Sequence, residues 1–265
     1  MRGFWVMLKK ELRMFFVSPV AYVVLALVMV LNGFAFRAAL AILESAPSEG
    51  SIVTWTFQPQ WFWLSYFFVF PLLTMRSFAE ERRLGTFETL FTAPVRAWQV
   101  VAGKFVAALI IYAMLWLPSF FNFRVAHWVT AGMVELPAGT MGGSYIVLMA
   151  MDMFNLAMGI FASSLTRNQI VAAILSFTLS LTHFMLGVFV MVIGRKLSDS
   201  IVDIVAYFAS AEHIRIFTSG LIDTRPLVYY TSLTLLFLPA LYIAWFRIKE
   251  EDLAAEALPG VASHA

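Results

Sequence analysis

The chain has 265 residues, 61% of them hydrophobic and 13% charged, with a net charge of +2 and no cysteine. A soluble domain is nearer half apolar, so this is the composition of an integral membrane protein, with no stretch polar enough to fold as a separate soluble domain. The lack of cysteine excludes disulfides, thiolate metal sites and cysteine nucleophiles, and the Lys and Arg residues are clustered rather than spread as a nucleic-acid footprint requires.

The first fifteen residues place Trp5, Leu8, Leu12, Phe15 and Phe16 on one helical face and Arg2, Lys9 and Arg13 on another, with Lys10 adding to the basic side. That is the pattern of a helix lying in the membrane interface. Pro19 ends it, because a residue before proline is pushed out of the helical region. The apolar segment 20–43 follows; it is longer than the ~7–15 residue core of a signal peptide, so it remains in the membrane.

About 20 apolar residues cross the hydrocarbon core as a helix. Six segments meet this, at 20–43, 61–78, 100–123, 144–165, 169–193 and 227–248, so both termini lie on one side. Counting Lys and Arg between the spans gives twelve on the side of the termini and five on the other, with Arg37 left inside the first span. The positive-inside rule then makes the termini cytoplasmic. The segment 197–225 is too long for a turn and too polar to span. Ile201, Ile204, Val205 and Phe208 share a face there opposite Asp199 and Asp203, which predicts a short amphipathic helix, and a second is expected at 212–218.

Between the second and third spans stands "AEERRLGTFETLFTAP", with five charged residues in the nine positions from Glu80 to Glu88. Such charges cannot remain in hydrocarbon. Gly85 permits a turn, Thr86 suits an N-cap, and Glu88 falls in the first turn of the next helix, where the helix dipole favours a carboxylate. Phe87, Leu90 and Phe91 recur at helical spacing until Pro94 stops the pattern. The expectation is a bent pair of short cytoplasmic helices. It is either an interfacial loop whose arginines set topology or a docking element with an apolar stripe that a soluble partner grips.

"EERRLGTFETLFTAPVRAWQVVAGKF" resembles the signature of ABC-2-type transporter permeases: an acidic pair, a Gly-Thr, a Glu-bearing helix and a Pro-basic turn before a Gly-Lys. "LKKELRMFFVSPVAYVV", "ASSLTRNQIVAA" and "HIRIFTSGLIDTRPLVYY" agree with it in order. The last is most similar to permeases of the gliding-motility-associated and nitrous-oxide-reductase-maturation type. The resemblance covers nearly the whole chain, and its one departure is Pro226, where related sequences often carry a charge.

The resemblance implies an all-α permease at 1–250 with six transmembrane helices and a short cytoplasmic tail at 251–265. Within the permease it implies an interfacial helix at 1–17, a coupling segment at 79–96 and outer amphipathic or re-entrant helices at 194–226. It implies a multi-pass protein of the cytoplasmic membrane that forms a homo- or heterodimer with a second permease subunit and is driven by an ABC ATPase subunit. By match, Glu80, Glu81, Gly85, Thr86, Glu88 and Leu90 form the coupling element, and the helix carrying Trp5, Lys9, Lys10 and Arg13 completes the ATPase-facing surface.

No G-x-x-x-x-G-K-[ST], H-E-x-x-H or G-x-S-x-G occurs in the chain. ATP and magnesium would therefore be held by the partner ATPase, with no cofactor on this chain. The competing reading is a scaffold or mechanotransmitter that passes ATPase motion to an extracytoplasmic accessory protein, and the third is an intramembrane enzyme. Polar residues within the spans, Arg37, Asp152, Asn155 and His183, are the intramembrane candidates, because exposing them to lipid is costly. Their structural alternatives are snorkelling of Arg37, or pairing of Asp152 with Arg37 or His183 inside the bundle or at a dimer seam. The aromatic run "WFWLSYFFVF" reads as membrane belt and packing.

Overall fold

A computed structural model describes residues 2–45, 51–58, 60–86, 95–193 and 207–256, all helix and turn with no strand among them. The helices are α1 (Arg2–Val17), α2 (Pro19–Ser45), α3 (Ile52–Phe57), α4 (Gln60–Thr74), α5 (Ala79–Arg83) and α6 (Ala97–Val129), then α7 (Ala138–Ser164), α8 (Gln169–Ile193), α9 (Ser210–Thr218) and α10 (Thr224–Glu256). Six stretches are long and apolar enough to cross a membrane: Pro19–Ser45, Gln60–Arg83, Ala97–Val129, Ala138–Ser164, Gln169–Phe189 and Thr224–Phe246. They coincide with the six predicted spans.

The bundle is organised around α7. In its most apolar window 78% of residues are buried, against 22% in α8 and 17% in α10, so α7 is the centre and the other two present broad faces outward. Helices α4, α6, α8, α9 and α10 all pack on it. Lipid tails supply no hydrophobic drive between helices, so close approach through small residues does much of the work. A Cβ on Gly159 would lie 3.0 Å from Thr74 Cβ, which places the backbone of α7 directly against α4. Gly187 on α8 admits Ala209 in the same way, with only 2.6 Å available to a Cβ.

Helix α1 ends at Val17, with Ser18 alone between it and Pro19, as the sequence predicts. Its buried stripe is Met7 and Leu8, which sit against α6 where Gly103 leaves room, a Cβ there falling 2.8 Å from Met7 Cβ. Trp5 and Phe16, placed on the same apolar face by the periodicity, are instead 57% and 47% exposed. The apolar arc of α1 is wider than its contact with α6, and the remainder turns away from the bundle.

Helix α3 has no counterpart in the sequence reading, since six residues are too few to show a period. Ser51 caps it, its hydroxyl accepting from Val53 N at 3.3 Å, and Ile52, Val53 and Phe57 are almost wholly buried. Phe57 meets Phe62, Trp116, Phe123 and Tyr145 edge to face, a geometry aromatic rings favour. The helix expected at 212–218 is α9, and Thr54 Oγ1 donates to Thr218 O at 3.0 Å, which joins α3 to α9 over one end of the bundle. The amphipathic helix expected around Ile201 to Phe208 falls largely outside the described residues. Pro226 lies in the first turn of α10, where a missing N–H costs nothing.

Candidate functional site at the charged end of the bundle

Helix α4 stops at Thr74, and the chain turns through residues 75–78 before continuing as α5. Such a bend exposes backbone groups that need partners, and one side chain of α7 supplies several. Ser163 Oγ accepts from Phe78 N and Ala79 N at 3.1 Å each and donates to Met75 O at 3.0 Å. Arg82 Nη1 donates to Ser164 O at 3.0 Å. The "EERR" turn is thereby fastened to the end of the central helix.

Gly85 lies at φ +68°, the left-handed conformation that closes a helix, and Thr86 N donates back to Glu81 O at 3.1 Å. Thr86 thus closes α5, its hydroxyl also reaching Glu81 O at 3.4 Å, while the helix it is expected to open falls outside the described residues. Glu88 and Leu90, and the second short helix predicted with them, lie outside the described residues.

The acidic pair diverges. Glu80 faces Arg76, with Oε2 3.6 Å from Nε. Glu81 turns inward and is 7% exposed. Lys10 Nζ of α1 donates to its Oε1 at 2.6 Å. Lys104 Nζ of α6 stands 3.0 Å from its Oε2, an ion pair outside good hydrogen-bond geometry. Lys104 also donates to Glu11 Oε1 at 2.8 Å and to Ser77 O at 2.6 Å, and lies 5.0 Å from the centre of the Phe78 ring. The result is a charge-balanced cluster of two lysines and two glutamates that ties α1, α5 and α6 together.

Removing an ion from water costs several kcal/mol, recovered only when partners and hydrogen bonds surround it. Lys104, with its side chain 1% exposed, has that environment. Of the residues expected on a partner-facing surface, Glu81 is buried in this cluster, because a buried lysine on α6 requires compensating carboxylates, and Lys10 stands at its partly exposed rim. Lys104 is the lysine of the signature's Gly-Lys and Glu11 lies in "LKKELRMFFVSPVAYVV", yet the sequence assigns neither a role. The adjacency of opposite charges in "KKEL" and an isolated lysine at the start of an apolar span were the available signals. Lys9 and Arg13 remain exposed on α1, and Arg83, Leu84, Gly85 and Thr86 form the exposed tip of the bend.

The intramembrane candidates do not assemble into one site. Asp152 on α7 is 0% exposed, and neither carboxylate oxygen has a hydrogen-bond partner among the described residues. It pairs with neither Arg37 nor His183. Arg37 is exposed on α2, and His183 bonds Tyr229 Oη at 2.8 Å. Asn155 belongs to a satisfied network, donating to Tyr66 Oη at 2.5 Å and to Met151 O at 2.9 Å, and accepting from Ser180 Oγ at 2.7 Å. Among the described residues, no group of three or more His, Asp or Glu side chains is placed to hold a metal ion.

The family model described as ABC-2 family transporter protein matches residues 10–183, a stretch that includes Lys10, Glu11, Glu81 and Lys104. A comparison with curated proteins finds no match. The matched stretch covers more than half of the sequence, with four of the six apolar helices whole and most of a fifth, so the chain belongs to the ABC-2 family of transporter proteins, as a multi-pass membrane permease subunit of an ABC transporter.

Proposed function

We propose that this permease converts ATP hydrolysis by a separate ATPase subunit into movement of its spans, with α1, α5 and the segment that follows α5 as the surface on which the ATPase acts. The observation that carries this reading is the Lys10–Glu81–Lys104–Glu11 cluster, buried at Lys104 and Glu81 and partly exposed at Lys10. A push on the tip at Leu84–Thr86 passes through α5 to Glu81, and from there to α1 through Lys10 and to α6 through Lys104. Ser163 and Arg82 carry the same push to α7. Ion pairs desolvated to this degree are directional and stiff, so the two short helices move with the spans rather than slide over them.

In this reading the termini and the bend are cytoplasmic, as the distribution of Lys and Arg supports, and two copies form the transport path at their shared face. The aromatic interior of a single subunit, with Phe57, Phe62, Tyr66, Phe70, Tyr112 and Trp116 packed together, favours a path between copies over one through a copy. The likeness of "HIRIFTSGLIDTRPLVYY" to gliding-motility-associated and nitrous-oxide-reductase-maturation permeases supports membership of that branch.

The test is affinity purification in mild detergent with an ATPase assay. The wild-type permease should bring down an ATP-hydrolysing partner. Glu81→Gln should retain the partner but lose stimulation of its activity, and Glu88→Ala should loosen the association. A wild-type preparation that brings down no ATPase overturns the proposal.

A further inference from the structure

Between α1 and the bend after α4 lies a cleft of about 890 Å³, lined among the described residues by five cationic side chains and two carboxylates. Lys10 and Lys104 are already engaged by Glu81 and Glu11. The charge left over is that of Lys9 and Arg13, joined by Arg76, whose pair with Glu80 is loose, Oε2 standing 3.6 Å from Nε. Lys9 and Arg13 are exposed and one turn apart on α1, without an acidic partner among the described residues. Arg76 donates through Nη1 to Ser18 Oγ at 2.9 Å, while its buried Nε has no hydrogen-bond acceptor.

The cleft adjoins a second chamber of about 130 Å³, with Met14, Ser18, Arg76, Ser77, Glu80 and Lys104 lining both. That chamber is walled by apolar side chains of α2, α4 and α6, among them Val20, Val24, Leu72, Leu73, Ala108 and Ile111. A cationic mouth at the interfacial helix therefore borders a slot between spans that is apolar away from the shared rim, Glu11 and Thr74. A free phosphate would be satisfied by the mouth alone, and a neutral alkyl chain by the slot alone. One class of molecule matches both in this order at this depth.

We propose that the cleft and slot together bind an anionic phospholipid from the leaflet in which α1 lies, its phosphate at Arg13 and Arg76 and one acyl chain entering the slot between α2, α4 and α6. The lipid would wedge α1 against the bend and complete the packing of the ion cluster. Neither the ATPase partner nor the transport cycle is needed for this binding, so the proposal stands apart from the coupling reading.

The experiment is native mass spectrometry of the purified permease alone, delipidated in detergent and then offered equal amounts of phosphatidylglycerol and phosphatidylcholine with the same acyl chains. Wild type should retain phosphatidylglycerol in preference by about thirtyfold, the scale of two basic side chains engaging one anionic headgroup. Arg13→Gln with Arg76→Gln should abolish the preference, whereas Arg124→Gln, exposed at the other end of α6, should keep it. Ala108→Phe, which fills the slot without altering charge, should lose the bound lipid, and the milder Ala108→Leu serves if the larger residue prevents folding. Equal retention of the two lipids overturns the proposal. So does a preference that survives slot filling, which would reduce the site to surface attraction, or full displacement by glycerol phosphate, which would make it a soluble-anion site.

Discussion

Lys104 on α6 and Glu81 on α5 approach to 3.0 Å although they are separated by the whole segment between the second and third spans, and the lysine side chain is 1% exposed. Removing one member of such a pair leaves an unpaired buried charge, a loss of about 3–5 kcal/mol. Lys104→Met should therefore lower the melting temperature of the detergent-solubilised permease strongly. Adding Glu11→Gln and Glu81→Gln should recover a large part of the loss, because the neutral set carries no uncompensated ion. Additive rather than compensating effects would show that the cluster is not a unit.

Ser163 makes three hydrogen bonds to the backbone of the bend. Ser163→Ala leaves the amides of Phe78 and Ala79 and the carbonyl of Met75 without this partner, at about 1–3 kcal/mol per buried group left unsatisfied. Amide hydrogen exchange at Phe78 and Ala79 should accelerate by about tenfold or more, with the centre of α7 unchanged. Unchanged exchange at these two amides would contradict the anchoring role.

Gly159 faces Thr74 across the α4–α7 contact, with 3.0 Å between the place of a Cβ and Thr74 Cβ. Gly159→Ala should force the helices apart and cost about 1–3 kcal/mol by overpacking. Pairing it with Thr74→Gly should return most of that stability, since the clash is with this one side chain. The melting temperatures of the single and double variants decide the point.

His213 in α9 is buried, and its nitrogen bonds Tyr230 Oη at 2.9 Å. Burial lowers its pKa to about 4 despite the opposing pull of Asp223 and Glu212. The folded value lies below the ordinary value of 6.5, so the unfolded state binds the proton more readily. The stability tied to neutral His213 is thus complete above about pH 6.5 and declines as pH falls towards 4. Melting of the α9–α10 end, followed by hydrogen exchange, should drop over that window, and His213→Gln should flatten the dependence.

The native chain has no cysteine, so single cysteines report topology without background. Leu84 is 60% exposed at the bend and Met133 is 88% exposed in the turn after α6. A membrane-impermeant maleimide should label Leu84→Cys only in inverted vesicles and Met133→Cys only in right-side-out ones. The reverse pattern would invert the proposed orientation.

The sequence alone determines the membrane class, the six spans, the break at Pro19, the turn at Gly85 and the short helix near 212–218. Each is a local property: apolar length, a proline's effect on its neighbour, a glycine's access to positive φ, or a helical period over a few residues. Glu80 and Glu81 look equivalent in sequence, yet one faces an arginine a turn away and the other a lysine on a different span. Periodicity places Trp5 and Leu8 on one face, but only Leu8 meets α6, because the sequence does not encode the width of the contact.

Only the tertiary structure decides that Lys10, Glu11, Glu81 and Lys104 form a single neutral cluster, that Ser163 holds the bend, and that Asp152 pairs with neither Arg37 nor His183. These relations join residues tens of positions apart. Their energies depend on burial and on the company of other charges, which exist only once the helices have packed.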